Sequence, residues 1–193
     1  MHVIKAADCR HMPWKNGLGE TVEIAICPVG AGLDDFDWRA SMARVDADGP
    51  FSAFKGVDRT LAVVDGEGLT LSIEGRASIT LTKESEPLAF PGDVATSAVR
   101  VNGRVTDLNV MTRRGRFQHR MERVDFSGSV DINVDADVAL LVCVTRGVRI
   151  KAQGRETRLA TLDTLRLADA SEQVQISAES AEARCYLIRL ERC

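Results

Sequence analysis

Gly68-Leu-Thr-Leu-Ser-Ile-Glu-Gly-Arg76 and Gly147-Val-Arg-Ile-Lys-Ala-Gln-Gly-Arg155 are one phrase written twice, 79 positions apart. In the first copy Leu69, Leu71 and Ile73 alternate with Thr70, Ser72 and Glu74, the period-two pattern of a strand with one buried face. A glycine-bearing turn follows in both copies. The same step carries Met42-Ala-Arg-Val-Asp46 onto Met121-Glu-Arg-Val-Asp125, Gly49 onto Gly128, Leu61 onto Leu140 and Leu88 onto Leu167. Glycines and apolar positions in step over so long a span indicate one supersecondary plan used twice. The match thins between about 90 and 106, where a loop has changed length.

Outward from this phrase the period-two pattern continues. Val22, Ile24 and Ile26 alternate with Thr21, Glu23 and Ala25, and Ile79 and Leu81 with Ser78, Thr80 and Thr82. Turn signals separate the runs at Asp65-Gly66, Glu74-Gly75, Asn102-Gly103, Ser127-Gly128 and Gln153-Gly154. Strands are predicted near 37–45, 58–65, 68–74 and 104–113. A second series is predicted near 117–126, 130–134, 138–145, 148–152, 164–168, 173–178 and 184–191. No stretch carries a long apolar stripe at helical spacing. Many short, evenly spaced strands predict an all-β chain. Its expected form is two stacked double-sheet jelly-roll barrels from an internal duplication, residues 1–114 and 115–193. The N-terminal strands fit against either barrel.

The bulk numbers narrow the function. A net charge of -3 and a pI near 5.7 argue against nucleic acid as the main partner. No apolar run is long enough to span a bilayer, and residues 1–10 lack the apolar core of a signal peptide. The five cysteines are scattered and odd in number, which predicts free thiols and a cytoplasmic setting. His2, His11 and His119 are the only histidines, and no two are placed as strand neighbours on one face. A jelly-roll metal site needs converging histidines and a carboxylate, so neither metal nor cofactor is expected.

The places where the two copies disagree matter more. Arg59, Asp107 and Asn109 stand where the second copy has Val138, Tyr186 and Ile188. If the plan is a barrel, one barrel kept a polar lining and the other was filled. Asp107, Asn109, Met111 and Arg113 share one strand face, as do Arg39, Ser41 and Ala43. The run Met12-Pro-Trp-Lys-Asn-Gly17 is suited to lay Trp14 over a ligand and present Lys15 and Asn16, or else to plug a barrel end with Trp14. Together these clusters nominate Trp14, Lys15, Asn16, Glu23, Arg39, Ser41, Arg59, Asp107, Asn109 and Arg113 as a binding site. Arginine matches carboxylate geometry, so the expected partner is a small anionic metabolite, with self-association into a homodimer left open. Solvent-exposed strand faces and surface ion pairs are the plainer alternatives for these residues. No nucleophile elbow is present, and no catalytic residue is assigned. An enzyme reading would use Glu23 or Asp107 as general base in a cofactor-independent isomerase or hydrolase. A third reading makes the second copy a protein-docking surface.

Trp14-Lys-Asn-Gly17 with Gly19, Thr21 and Glu23 resembles the signature of the HutD/Ves family. So do Trp38-Arg39 with Ser41, Gly49-Pro-Phe-Ser52 with Asp58-Arg59, Phe90 with Gly92-Asp93, and Asp107-Leu-Asn-Val-Met-Thr-Arg113. Lys55 departs from the pattern, where a proline is more usual. The resemblance implies a bicupin, two cupin barrels in one chain, without the usual cupin metal ligands. It also implies a bacterial protein tied to histidine utilisation, regulating it by binding an intermediate such as formylglutamate or urocanate.

Overall fold

The computed structural model of the chain describes residues 1–14, 17 and 19–193, with backbone alone at 169 and 170. Apart from one 3-10 turn at Ala6–Asp8, its elements are all strands. In chain order they begin with β1 (His2–Ile4), β2 (Arg10–Pro13), β3 (Gly19–Cys27), β4 (Trp38–Val45), β5 (Gly49–Pro50), β6 (Val57–Asp65), β7 (Leu69–Ile73) and β8 (Ile79–Leu81). Then follow β9 (Leu88–Pro91), β10 (Thr96–Arg100), β11 (Val105–Arg113), β12 (Phe117–Phe126) and β13 (Ser129–Cys143). The last four are β14 (Val148–Ala152), β15 (Arg155–Leu159), β16 (Thr164–Ala178) and β17 (Ala183–Arg192). Among the described residues no helix is long and apolar enough to cross a membrane.

The chain divides into two compact units, Arg10–Gln118 and Met1–Cys9 with His119–Cys193. The expected boundary, 114/115, lies four residues before this division, and the side taken by the N-terminal strands was open. In the structure β1 pairs with β16, His2 opposite Arg166 and Ile4 opposite Thr164. Lys5 adds an ion pair to Asp163 at 2.8 Å.

In the N-terminal unit a larger sheet runs β2-β3-β4-β11-β6-β9 and a smaller one β5-β10-β7-β8. Leu61, Val63, Phe90 and Val105 of the larger sheet share one apolar cluster with Leu69, Leu71, Ile73, Leu81 and Ala98 of the smaller. The two sheets therefore close over a common core, which is what their alternation requires. Phe36, Val57 and Met111 form a second cluster. Strand β2 overlaps the start of the 12–17 run at Met12 and Pro13. Pro13 ends it, where the lost N–H is tolerated at a strand terminus.

The C-terminal unit orders its strands β12-β17-β13-β16-β14-β15 around its own apolar cluster, from Phe126 to Leu187. Here four expected strands fuse into two. β13 and β16 each run 15 residues, paired from Ser129↔Ser177 to Val142↔Thr164. Neither contains glycine or proline, so nothing in the chain breaks them. The path β4-β11-β6-β9 in the first unit has the same order as β12-β17-β13-β16 in the second.

Candidate functional site

Strand β11 lies between β4 and β6, and its register builds the site. Met111 sits between Arg39 and Arg59, Asn109 between Ser41 and Leu61, and Asp107 between Ala43 and Val63. Strand β3 extends the middle row by placing Glu23 opposite Ser41. Alternation puts all these side chains on one face. Val105 at one end of that face belongs to the larger apolar cluster and Met111 at the other end to the smaller. The polar group thus interrupts the apolar lining of the unit.

Arg39, Ser41, Arg59, Asp107 and Asn109 are all buried, Asp107 to 2 % exposure and Arg59 and Asn109 to 7 %. Arg39 is neutralised: its Nε donates to Glu23 Oε2 at 2.7 Å, and its Nη1 reaches Ser41 Oγ at 3.5 Å. Arg59 is not. Among the described residues it has no carboxylate within ion-pair distance, and its buried Nε donates to nothing. Nη1 makes one long contact to the Ser52 carbonyl, 3.4 Å. The guanidinium lies over two aromatic rings, 4.9 Å from the centre of Phe51 and 5.4 Å from that of Phe90. These rings supply cation–π attraction but accept no N–H in the plane of the fork. Burial pulls the Arg59 pKa down to about 10, opposed by Asp107 and reinforced by Arg39, so it remains a cation at neutral pH.

Asn109 Oδ1 is likewise buried without a donor. The Asp107 carboxyl accepts no hydrogen bond among the described residues. Burial pushes its carboxyl up to about 7, against the opposing pull of Arg59. With Glu23 and Arg39 cancelling, the site carries one net positive charge when Asp107 is protonated and none when it is ionised.

The surroundings hold Arg59 in place. A Cβ on Gly92 would stand 2.9 Å from the Val57 carbonyl and 3.1 Å from Arg59 Cγ, so glycine leaves room for the arginine stem. Asp93 accepts from Gly56 N–H at 3.2 Å and from both terminal nitrogens of Arg114, at 2.8 and 2.9 Å. The Arg114 guanidinium holds that carboxyl well below the usual carboxylate range. This brace anchors the end of the loop that carries Phe51 and Ser52. Sequence reasoning assigned no role to Phe51, Phe90 or Gly92. Their signal is the pairing of Arg59 directly opposite Phe90, which only the strand register reveals.

The structure brings together Glu23, Arg39, Ser41, Arg59, Asp107 and Asn109. Trp14 is half-buried, its indole N–H donating to Thr21 Oγ1 at 2.9 Å, on the β3 face that carries Glu23. Its ring lies against Gly19, where a Cβ would stand 2.9 Å away. Lys15 and Asn16 lie outside the described residues. Arg113 is engaged elsewhere: it donates to the carbonyls of Phe36 (3.0 Å) and Asp34 (2.7 Å) and stacks over the Phe36 ring. It ties the preceding loop to the end of β11. No cluster of three or more metal-ligating side chains occurs among the described residues.

With this geometry in hand, the chain can be compared with known proteins. The sequence profile of the HutD family matches residues 6–186. An uncharacterized 21.2 kDa protein in the hutC 3' region of Pseudomonas putida is 33 % identical over 180 residues, covering 93 % of each chain. Protein Ves of Citrobacter koseri is 40 % identical over 123 residues, 61 % of this chain and 62 % of that one. Among solved structures, a conserved protein of unknown function from Pseudomonas aeruginosa PAO1 superposes with a TM-score of 0.91 at 32 % identity, over 98 % of both chains. HutD from Pseudomonas fluorescens SBW25 gives 0.84 at 30 % identity, over 100 % of this chain and 98 % of that one. A cupin 2 conserved barrel domain protein from Leptotrichia buccalis shares the fold at 13 % identity, TM-score 0.58, over 89 % of this chain and 88 % of that one.

Proposed function

This chain belongs to the HutD family, and from that premise we propose that its N-terminal unit binds a small carboxylate without a metal, as a regulator of histidine utilisation. The observation that carries the reading is Arg59, a buried cation whose Nε has no partner among the described residues. An unpaired buried charge is costly, and an incoming anion relieves that cost. The ligand's carboxylate is placed against the Arg59 fork, and an N–H or O–H of the same molecule faces Asn109 Oδ1. Formylglutamate carries carboxylates and an amide N–H, and urocanate a carboxylate and a ring N–H. The position of the Pseudomonas putida relative beside hutC supports choosing among intermediates of histidine breakdown.

The same reading takes the two units as cupin barrels from one duplication, the first kept open for ligand and the second filled as scaffold. Their shared strand order supports it. So does the 79-residue step, which carries β7 (Leu69–Ile73) onto β14 (Val148–Ala152). Calorimetric titration with formylglutamate and urocanate tests the proposal. Binding by the native protein, weakened at least tenfold in Arg59→Ala and in Asn109→Ala, is expected. No binding, or variants that bind unchanged, refutes it.

One observation favours a second reading. Asp107, poised near neutrality beside a cation, has the character of a general base. Glu23 is less suited because Arg39 holds it. In this reading the protein turns over the ligand, and a screen of pathway intermediates showing no product counts against it.

A further inference from the structure

We infer that Asp107 takes up a proton as the ligand's carboxylate enters and donates that O–H to it, so that the site accepts a carboxylate anion and a proton together. The inference rests on the carboxylate-binding reading above and adds how the site answers to pH.

The geometry carries it. Asp107 stands two residues from Asn109 on the same face of β11, on the side away from Met111. Its cross-strand neighbours are Ala43 and Val63, which offer no donor. Every charged group facing it among the described residues is accounted for. From β6 comes Arg59, lying over the rings of Phe51 and Phe90 rather than in an ion pair. From β4 and β3 comes the Arg39–Glu23 pair, closed on itself at 2.7 Å. From β9 come the apolar Leu88 and Phe90, and the smaller sheet contributes apolar side chains.

An ionised Asp107 in this setting faces the incoming carboxylate as a second anion with one cation between them. Two carboxylates confined together share a proton rather than both ionise. The proton is available at little cost, because burial already favours the neutral acid. A neutral carboxyl is also a donor, whereas the ionised form only accepts. The atom balance is simple: one proton passes from solvent to the Asp107 carboxylate, and its O–H then points at a ligand oxygen.

N-formylglutamate is the probe for counting protons, because both its carboxylates stay ionised above pH 6; urocanate, whose imidazole itself titrates in this range, tests binding alone. Titrations at pH 6 and pH 8, each in buffers of low and high ionisation enthalpy, count the protons taken up. We expect close to one proton per ligand at pH 8 and a small fraction at pH 6. Affinity falls about tenfold between the two, the change set by one linked proton whose pKa in the free protein is about 7. Asp107→Asn keeps the shape and a donor but removes the titration. Its affinity is expected to be equal at both pH values, which also excludes His11 and the other histidines as the source. Binding whose affinity and proton count are the same at pH 6 and pH 8 overturns this inference and leaves the binding reading intact. Absence of binding at pH 6 by either compound overturns both.

Discussion

At the scale of single residues, the account depends on Arg59 and Asn109, each with a buried atom left without a partner among the described residues, and on the buried carboxyl of Asp107. Each lowers stability in the empty protein, and each gains a partner in the proposed complex. Asn109→Leu replaces an unpartnered amide by an apolar side chain of similar size. The substitution is expected to raise the unfolding free energy by about 1–2 kcal/mol while abolishing ligand binding. Denaturant melts and titrations on one preparation read both effects, and a destabilised variant that still binds contradicts the assignment. Asp107 gives a pH signature with a definite sign. Its folded pKa, about 7, exceeds the unfolded value of 3.8, so the folded state holds the proton more tightly. Its contribution is therefore fully favourable below about pH 4 and is lost as pH rises towards 7, on the order of a few kcal/mol. Asp107→Asn is expected to flatten that part of the stability–pH curve. The three residues were legible in the sequence because they break the repeat against Val138, Tyr186 and Ile188. Arg113 shares their strand phase, but at the strand end its guanidinium reaches the loop carbonyls of Asp34 and Phe36.

At the scale of elements, the site depends on what its strands and loops exclude as much as on what they present. Gly92→Ala sets a Cβ against the Val57 carbonyl and the Arg59 stem. We expect a loss of about 1–3 kcal/mol, typical of overpacking, and weaker binding through a displaced guanidinium. An unchanged melt together with unchanged affinity contradicts that role. Arg114→Ala releases Asp93 at the surface, loosening the loop that carries Phe51. It is expected to weaken binding severalfold with little change in the thermal midpoint. Strand positions were legible wherever apolar and polar residues alternate between turn glycines, as in β7 and β14. Two features were not. The fusion of β13 and β16 into long strands is fixed by pairing between distant segments, and a local pattern interrupted by Ala136-Asp137 reads as a break. The aromatic bed of Arg59 joins Phe51 from a loop to Phe90 on β9, a proximity that exists only after the sheet has formed.

At the scale of the whole molecule, the proposed division of labour between the units has a testable consequence. Leu141 is buried in the apolar cluster of the C-terminal unit. Leu141→Ala is expected to cost about 2–5 kcal/mol of stability without altering ligand affinity in the folded protein. A matching loss of affinity contradicts a purely structural role for that unit. The 79-residue step carries β7 of one unit onto β14 of the other. The chain's return to its own start was not legible in the sequence, because β1 joins β16 across some 160 residues and nothing local marks the pairing. The central claim is that the Arg59 fork receives a carboxylate. Its most direct test is a crystal structure of the native protein grown with formylglutamate and, in parallel, with urocanate. The account predicts density in the N-terminal unit with a carboxylate at hydrogen-bond distance from Arg59 and a donor facing Asn109 Oδ1. Ligand density elsewhere, with Arg59 still unpaired beside Phe51 and Phe90, contradicts it.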